Sequence, residues 1–213
     1  MSFDTLAPIY RPLEAVLAGG VLQQCRTSLL AEAVDRRQAL ILGEGPGRFL
    51  VELLRINPSI EVTCVERSLA MIHEAKSRLR RERLDISRID FQQTDALTWE
   101  PSRRVFDLIV THFFLDCFRP HELGALVAKL ASGAAVEARW LLGDFCIPER
   151  GWQRMRARSI HAAMYAFFRT TTGLSAKRLT PPDHYLQAAG FRLRNRRLFN
   201  HGLLHSDLWL KTA

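Results

Sequence analysis

One stretch constrains this chain more than any other. The apolar run Ala39-Leu40-Ile41-Leu42 breaks into Gly43-Glu44-Gly45-Pro46-Gly47, and helical patterning resumes at Arg48-Phe49. A buried strand that turns through three closely spaced glycines into a helix fits few folds. Glycine suits such a turn because the backbone is tight and a ligand can approach it with no Cβ in the way. The helix beyond it offers unpaired N–H groups at its start. The turn alone would also fit an ordinary strand-to-helix connection, so its meaning depends on the residues downstream of it.

Downstream, β-type and helical runs alternate, the pattern of a parallel sheet covered by helices. Strands are expected at 39–42, 61–66, 89–93, 106–111 and 139–145, with helices at 48–56, 69–82 and 121–130. Asn57-Pro58 should end the first of these helices, because a residue before proline avoids the helical region. Ser68 is placed to cap the second by accepting a free backbone N–H. Residues 12–34 read as one or two amphipathic helices broken at Gly19-Gly20, and 152–169 as a further helix. The tail from 190 to 211 reads as two strands joined near Asn200-His201-Gly202, a hairpin signal.

The second strand, Glu61-Val62-Thr63-Cys64-Val65-Glu66, ends in an acid 19 residues after Gly47. That separation suits a carboxylate that accepts hydrogen bonds from ribose hydroxyls; a plain acid at a helix N-terminus is the competing reading. The glycine spacing is G-x-G-x-G, whereas a pyrophosphate-binding turn reads G-x-G-x-x-G. A third strand ends in Gln93-Thr94-Asp95-Ala96-Leu97, and a fourth runs through Thr111 into His112-Phe113-Phe114-Leu115-Asp116.

With these elements in this order, residues 38–145 resemble the class I S-adenosylmethionine-dependent methyltransferase family of small-molecule type. The resemblance implies an α/β fold: a Rossmann-like seven-stranded, mostly parallel sheet with helices on both faces and an antiparallel C-terminal hairpin. It implies that Gly43, Glu44, Gly45 and Gly47 meet the methionine part of the cofactor and that Glu66 and Arg67 lie by the ribose. Met71 would pack on the adenine, Asp95 and Ala96 would face its amino group, and Thr111 would border the site. Members of the family often carry an acid two residues before the first glycine. This chain has Ile41 there, so Glu44 is expected to take over contact with the cofactor's ammonium. The product would be S-adenosylhomocysteine, after an in-line displacement that moves the methyl group to an O, N or C nucleophile.

Ligands of open α/β sheets bind outside the carboxyl ends of the strands, which places the acceptor near residues 111–116 and 144–148. His112 is the candidate general base, because imidazole titrates near physiological pH, with Asp116 orienting it. Transfer to a good nucleophile needs mainly proximity and alignment, so His112 could instead simply line the pocket. The resemblance gives residues 1–35 the part of an N-terminal helical cap bringing Tyr10 to the site. Residues 36–213 form the methyltransferase domain, and a lid-like insertion at about 150–182 adds Phe167 and Phe168 to Phe113 as acceptor contacts.

The chain has 213 residues and a net charge of +8, carried almost entirely by arginine. Such a balance fits an acidic partner or a solvated basic face. An RNA methyltransferase is therefore the main alternative, although no appended RNA-binding module and no amino-methylating Asp/Asn-Pro-Pro motif follows the fourth strand. A catalytically silent cofactor-binding protein of the same fold is the other alternative. An NAD-dependent dehydrogenase lacks both its glycine spacing and a Tyr-x-x-x-Lys pair. No metal is expected. Cys25, Cys64, Cys117 and Cys146 lack zinc spacing and are expected to be buried reduced thiols. His201 and His205 are expected at surface or edge positions. No apolar run is long enough to span a bilayer, and no signal peptide is evident, so the expected setting is the cytoplasm. The expected partner is a small-molecule substrate; nucleic acid is not expected, and a homodimer is left open.

Overall fold

The glycine turn sits at the centre of a seven-stranded sheet in a computed structural model. The structure describes residues 20–101, 105–172 and 179–212, with the backbone alone over 165–172. Strands β1 (Gln38–Leu42), β2 (Glu61–Glu66), β3 (Ile89–Gln93), β4 (Phe106–His112), β5 (Ala134–Phe145), β6 (Phe191–Phe199) and β7 (Leu204–Lys211) lie in the order β3-β2-β1-β4-β5-β7-β6. The first five run parallel, and β7 pairs antiparallel with both β5 and β6. The helices are α1 (Val21–Thr27), α2 (Arg48–Ile56), α3 (Leu69–Arg81), α4 (Pro120–Ser132), α5 (Gly151–Thr172) and α6 (Asp183–Ala188), with 3-10 turns at Leu30–Ala33 and Leu115–Cys117.

Successive side chains of a strand point to opposite faces, and the core divides accordingly. Leu40 and Leu42 of β1 join Ile109, Trp140 and Trp209 beneath Leu123, Leu126, Val127 and Leu130 of α4. Ala39 and Ile41 join Val62, Leu108, Val110 and Leu141 beneath Phe49, Leu50, Leu53 and Leu54 of α2. The chain leaves β1 for β2 on one side and returns as β4 on the other. The crevice for a ligand therefore opens at the carboxyl ends of β1 and β4.

Local signals explain the element ends. The Asn57 amide donates to the carbonyls of Ala33 (2.9 Å) and Arg36 (2.8 Å), tying the end of α2 to the segment before β1. The Ser68 hydroxyl accepts the Met71 N–H at 3.2 Å and caps α3. Two expectations need correcting. Strand β5 begins at Ala134 rather than 139, because its first residues pair with β4 through a register shift between Phe106 and Leu108. There Val136 and Glu137 are exposed and Glu137 has φ 60°, which breaks the alternation that marks a strand in the sequence. Cys146, expected to be buried, is half-buried just beyond β5, where its thiol donates to the Gly202 carbonyl at 3.0 Å.

His205 is also buried rather than at the surface. Its Nδ1 lies 3.0 Å from Oδ2 of Asp207, which is 0% exposed. Arg196 clamps both oxygens of that carboxylate, with Nε at 2.8 Å and Nη2 at 2.6 Å, and the Trp209 indole N–H donates to it at 3.2 Å. Burial alone would raise the Asp207 pKa, but these hydrogen bonds outweigh it and hold the carboxyl below its ordinary value. A depressed carboxyl pKa stabilises the fold above the unfolded value and ceases to do so as pH falls through the folded one. Arg196→Ala should therefore cost about 3 kcal/mol in urea unfolding at pH 7, the low end for breaking a buried pair. The gap should close below about pH 4, where the unfolded carboxyl takes up its proton. A gap independent of pH would mean that packing, not charge, is lost.

Candidate active site

The three glycines of the turn have φ values of 63°, 66° and 79° at Gly43, Gly45 and Gly47, all left-handed. Their neighbours differ. A Cβ on Gly43 would run into the Phe114 ring, and one on Gly47 would lie 2.9 Å from the Ala75 Cα in α3. A Cβ on Gly45 would meet nothing within 4 Å. Gly43 and Gly47 are thus needed for close packing, while Gly45 faces open space. That space is a cleft of about 270 Å³ bordered by the turn, the ends of β2, β3 and β4, and α1.

Glu66 organises the turn. Its Oε2 accepts the Gly45 N–H at 3.1 Å and its Oε1 accepts the Ser68 N–H at 2.9 Å. The Arg78 Nε donates to the Pro46 carbonyl at 2.8 Å and fastens the other side of the turn to α3. Glu44 turns toward α2, where Oε1 accepts the N–H groups of Phe49 (2.9 Å) and Leu50 (3.1 Å). It thereby satisfies two donors that a helix start leaves unpaired. Desolvation raises its pKa to about 7, against the lowering effects of those N–H groups and of Arg26.

The structure gathers Gly43, Glu44, Gly45, Glu66, Arg67, Met71, Asp95, Ala96, His112 and Phe113 around the cleft. Gly47 supports it from behind. Asp95 turns one oxygen to the Leu97 N–H at 2.9 Å and holds Arg67 at 3.6 Å, both at the rim. Thr111 is placed elsewhere: it is fully buried, and its hydroxyl accepts the Trp140 indole N–H at 2.8 Å. Strand alternation sends Val110 and His112 to the cleft and Thr111 away from it. Tyr10 lies outside the described residues, as do the side chains of Phe167 and Phe168, whose backbone belongs to α5.

His112 is 8% exposed, packs edge-on to Phe49 at 4.6 Å, and has no hydrogen-bond partner for Nδ1 among the described residues. Burial, with help from Arg26, pushes its pKa down to about 3. It is therefore a neutral imidazole at ordinary pH and a weak base. Asp116 does not border the cleft. Its backbone N–H donates to Asp144 Oδ2 at 3.1 Å. Burial raises both carboxyls, Asp116 to about 6 and Asp144 well above its ordinary value, where the Asp116 charge adds to the effect.

Arg26 also belongs to the site, although no motif in the sequence singles it out. It is only 8% exposed, borders the cleft, and carries its guanidinium 4.9 Å from the Phe113 ring centroid. A signal was present: Leu22, Cys25, Arg26 and Leu29 share one helical face, and an arginine on an apolar face needs a partner. Phe113 has φ 54°, rare for a bulky residue and a mark of functional sites. Cys117 and Phe118 complete the wall. The four cysteines are free; Cys25 and Cys64 are buried, whereas Cys117 and Cys146 are half-buried. Among the described residues no group of His, Cys, Asp and Glu is arranged to hold a metal.

Residues 39–134 match a family model described as a methyltransferase domain. A malonyl-[acyl-carrier protein] O-methyltransferase from Paenibacillus sp. (strain JDR-2) is 30% identical over 120 residues, 55% of this chain and 40% of that protein. The chain thus spans about two-fifths of this curated relative. Among solved structures, the mitomycin 7-O-methyltransferase MmcR aligns with TM-score 0.72 at 16% identity, over 100% of this chain and 61% of that one. An O-methyltransferase family 2 protein from Planctomyces limnophilus in complex with apigenin gives 0.72 at 18%, over 100% and 62%. The N-methyltransferase NodS from Bradyrhizobium japonicum, in complex with S-adenosyl-L-homocysteine, gives 0.65 at 13%, over 90% and 88%. At such identities these likenesses establish the fold.

The glycines should separate by substitution. Gly45→Ala is expected to cost about 1 kcal/mol in urea unfolding, the penalty of left-handed backbone alone. Gly47→Ala should cost at least twice that, because backbone must also move. Equal losses at both positions would remove the distinction drawn between the open glycine and the packed one.

Proposed function

We propose, from the match of residues 39–134 to a methyltransferase-domain family model and from the geometry of the cleft, that this chain binds S-adenosylmethionine in the cleft and methylates a small organic acceptor. The observation that carries the reading is the open side of Gly45 beside Glu66. The cleft offers the donors and the room that an adenosyl amino acid needs. Both Glu66 oxygens already hold backbone N–H groups, yet a carboxylate has further lone pairs for ribose hydroxyls. Met71 and Ala96 supply an apolar wall for the adenine, and Asp95 an acceptor for its amino group. Glu44 and Arg26, of opposite charge at one end of the cleft, suit a zwitterionic amino-acid end.

When bound, S-adenosylmethionine supplies an electrophilic methyl group. The chain's own contribution is positioning. Phe113, Phe114 and Phe118 border the cleft with apolar surface that excludes water from a bound acceptor. His112 stays neutral above about pH 3 and serves as a hydrogen-bonding wall rather than as a general base. Asp116 contributes to position rather than to chemistry: its backbone N–H donates to Asp144 and ties the segment after β4 to β5. Alignment is enough for transfer to a good nucleophile.

In this reading residues 1–35 form a cap and about 150–182 a lid over the acceptor, with Tyr10, Phe167 and Phe168 as its contacts. The solved structures named above include a mitomycin 7-O-methyltransferase and a protein in complex with apigenin, which supports a small acceptor over RNA. Among the described residues no helix is long and apolar enough to cross a membrane, and the cytoplasm is the compartment assigned.

Calorimetry with S-adenosylhomocysteine tests the reading. Ionised Glu44 favours a cationic ligand end, so affinity should rise as pH is raised through the Glu44 pKa of about 7. Glu44→Gln should flatten that rise. Absence of measurable binding at any pH would sink the cofactor assignment, and a rise that persists in Glu44→Gln would sink the role of Glu44.

A further inference from the structure

The charge of this chain is not spread evenly. Residues 150–182 hold seven cationic side chains (Arg150, Arg154, Arg156, Arg158, Arg169, Lys177 and Arg178) and no acid, so the rest of a chain of net charge +8 is close to neutral. The start of α5 is where this charge meets exposed apolar surface. Ala157 and His161 face inward at 1% and 4% exposure, against Leu22, Cys25 and Leu204 in the case of Ala157. The opposite side is reached at Trp152, Met155, Ser159 and Ala162, spaced as neighbours on one helical face. A surface helix normally turns charge toward solvent. Here Met155 is 74% exposed and Trp152 57%, and no acid lies among them. Arg154 and Arg158 flank the stripe in exposed positions, and Arg156, half-buried, donates to the Asn200 carbonyl at 3.1 Å and side chain at 2.9 Å.

We propose that this face of α5 docks the protein on an anionic lipid surface. A helix with exposed Trp and apolar side chains between arginines is built to lie in the headgroup region, with the apolar groups submerged and the guanidinium groups at the phosphates. Charge complementarity selects an anionic surface. The exposed Met155 and Trp152 select a bilayer over RNA, which would pair with the arginines and leave Met155 in water. Helix α5 also carries His161, whose ring lies 5.6 Å from that of Phe145, itself 5.4 Å from the cleft residue Phe113. A docked helix therefore sets the acceptor side of the molecule close to the membrane. The docking stands independently of methyl transfer.

The test is co-sedimentation of the full chain with vesicles of phosphatidylcholine containing phosphatidylglycerol, and with vesicles of phosphatidylcholine alone. Trp99, Trp140 and Trp209 are buried, so a blue shift in tryptophan emission on binding reports Trp152, and Trp152→Phe should abolish it. Binding should need phosphatidylglycerol, weaken about fivefold for each of Arg154→Gln and Arg158→Gln, and disappear in Met155→Asp. The proposal is overturned if the protein stays in solution with anionic vesicles, or if it pellets equally with neutral ones. It is also overturned if Met155→Asp binds as tightly as the parent. A salt-sensitive RNA complex without vesicle binding would overturn it by assigning the charge to nucleic acid. Light scattering showing a dimer that Met155→Asp splits would overturn it by assigning the stripe to a second copy of the chain.

Discussion

The cleft depends on a carboxylate that joins three elements. Glu66 closes β2, and its two oxygens receive one N–H from the glycine turn after β1 and another from the start of α3. A charge-assisted hydrogen bond of this kind is roughly twice as strong as a neutral one. Both are made to backbone N–H groups of segments that flank the cleft. The turn can thus keep three left-handed glycines close together, and Gly45 can stay open to a ligand without collapsing into the space beside it. Removing the carboxylate would take one tie each from the turn and from the start of α3, leaving Arg78 and Ser68 to hold them, so Glu66 has a structural part whatever it binds.

Glu44 shows the same economy with a different outcome. Its carboxylate completes the start of α2, yet it stays desolvated enough to titrate near neutrality. Arg26, reaching the cleft from α1, lowers that pKa, while the same cation, together with burial, keeps His112 uncharged. The end of the cleft therefore carries charges of both signs beside a neutral imidazole. An arrangement of this sort suits a zwitterion and gives little for acid–base work. The buried Asp116–Asp144 pair sits away from the cleft wall, and its raised pKa values follow from burying two carboxyls together.

Much of this is legible in the sequence because it is local. The strand–turn–helix at residues 39–56, the Ser68 cap and the acid closing β2 are written in adjacent residues, and the parallel half of the sheet follows from strands connected by helices. The expectations that fail depend on partners distant in the chain. Thr111 reads as a cleft residue until Trp140 takes its hydroxyl, and His205 reads as an edge residue until Asp207 and β6 bury it. Arg26 escapes a sequence reading because its value lies in meeting Phe113, 87 positions later, and no pattern in α1 states that meeting. Glu44 belongs to the turn as its position suggests, but its bonds to α2 show a cap as well as a candidate ligand contact.

The charge distribution adds a constraint that neither the core nor the cleft requires. A fold of this size has no structural need of seven cations and no acid within 33 residues of sequence, because like charges repel. Arg196 shows what a structural arginine looks like in this protein, with both oxygens of Asp207 and one of Asp183 in reach. Of the cations in residues 150–182, Arg154 and Arg156 are bonded to a backbone carbonyl or an asparagine, neither of which neutralises them. Neither bond uses up the charge of these two arginines, and in the docking proposed above the apolar stripe beside them calls for a partner that offers anions and a place to bury Met155 at the same time.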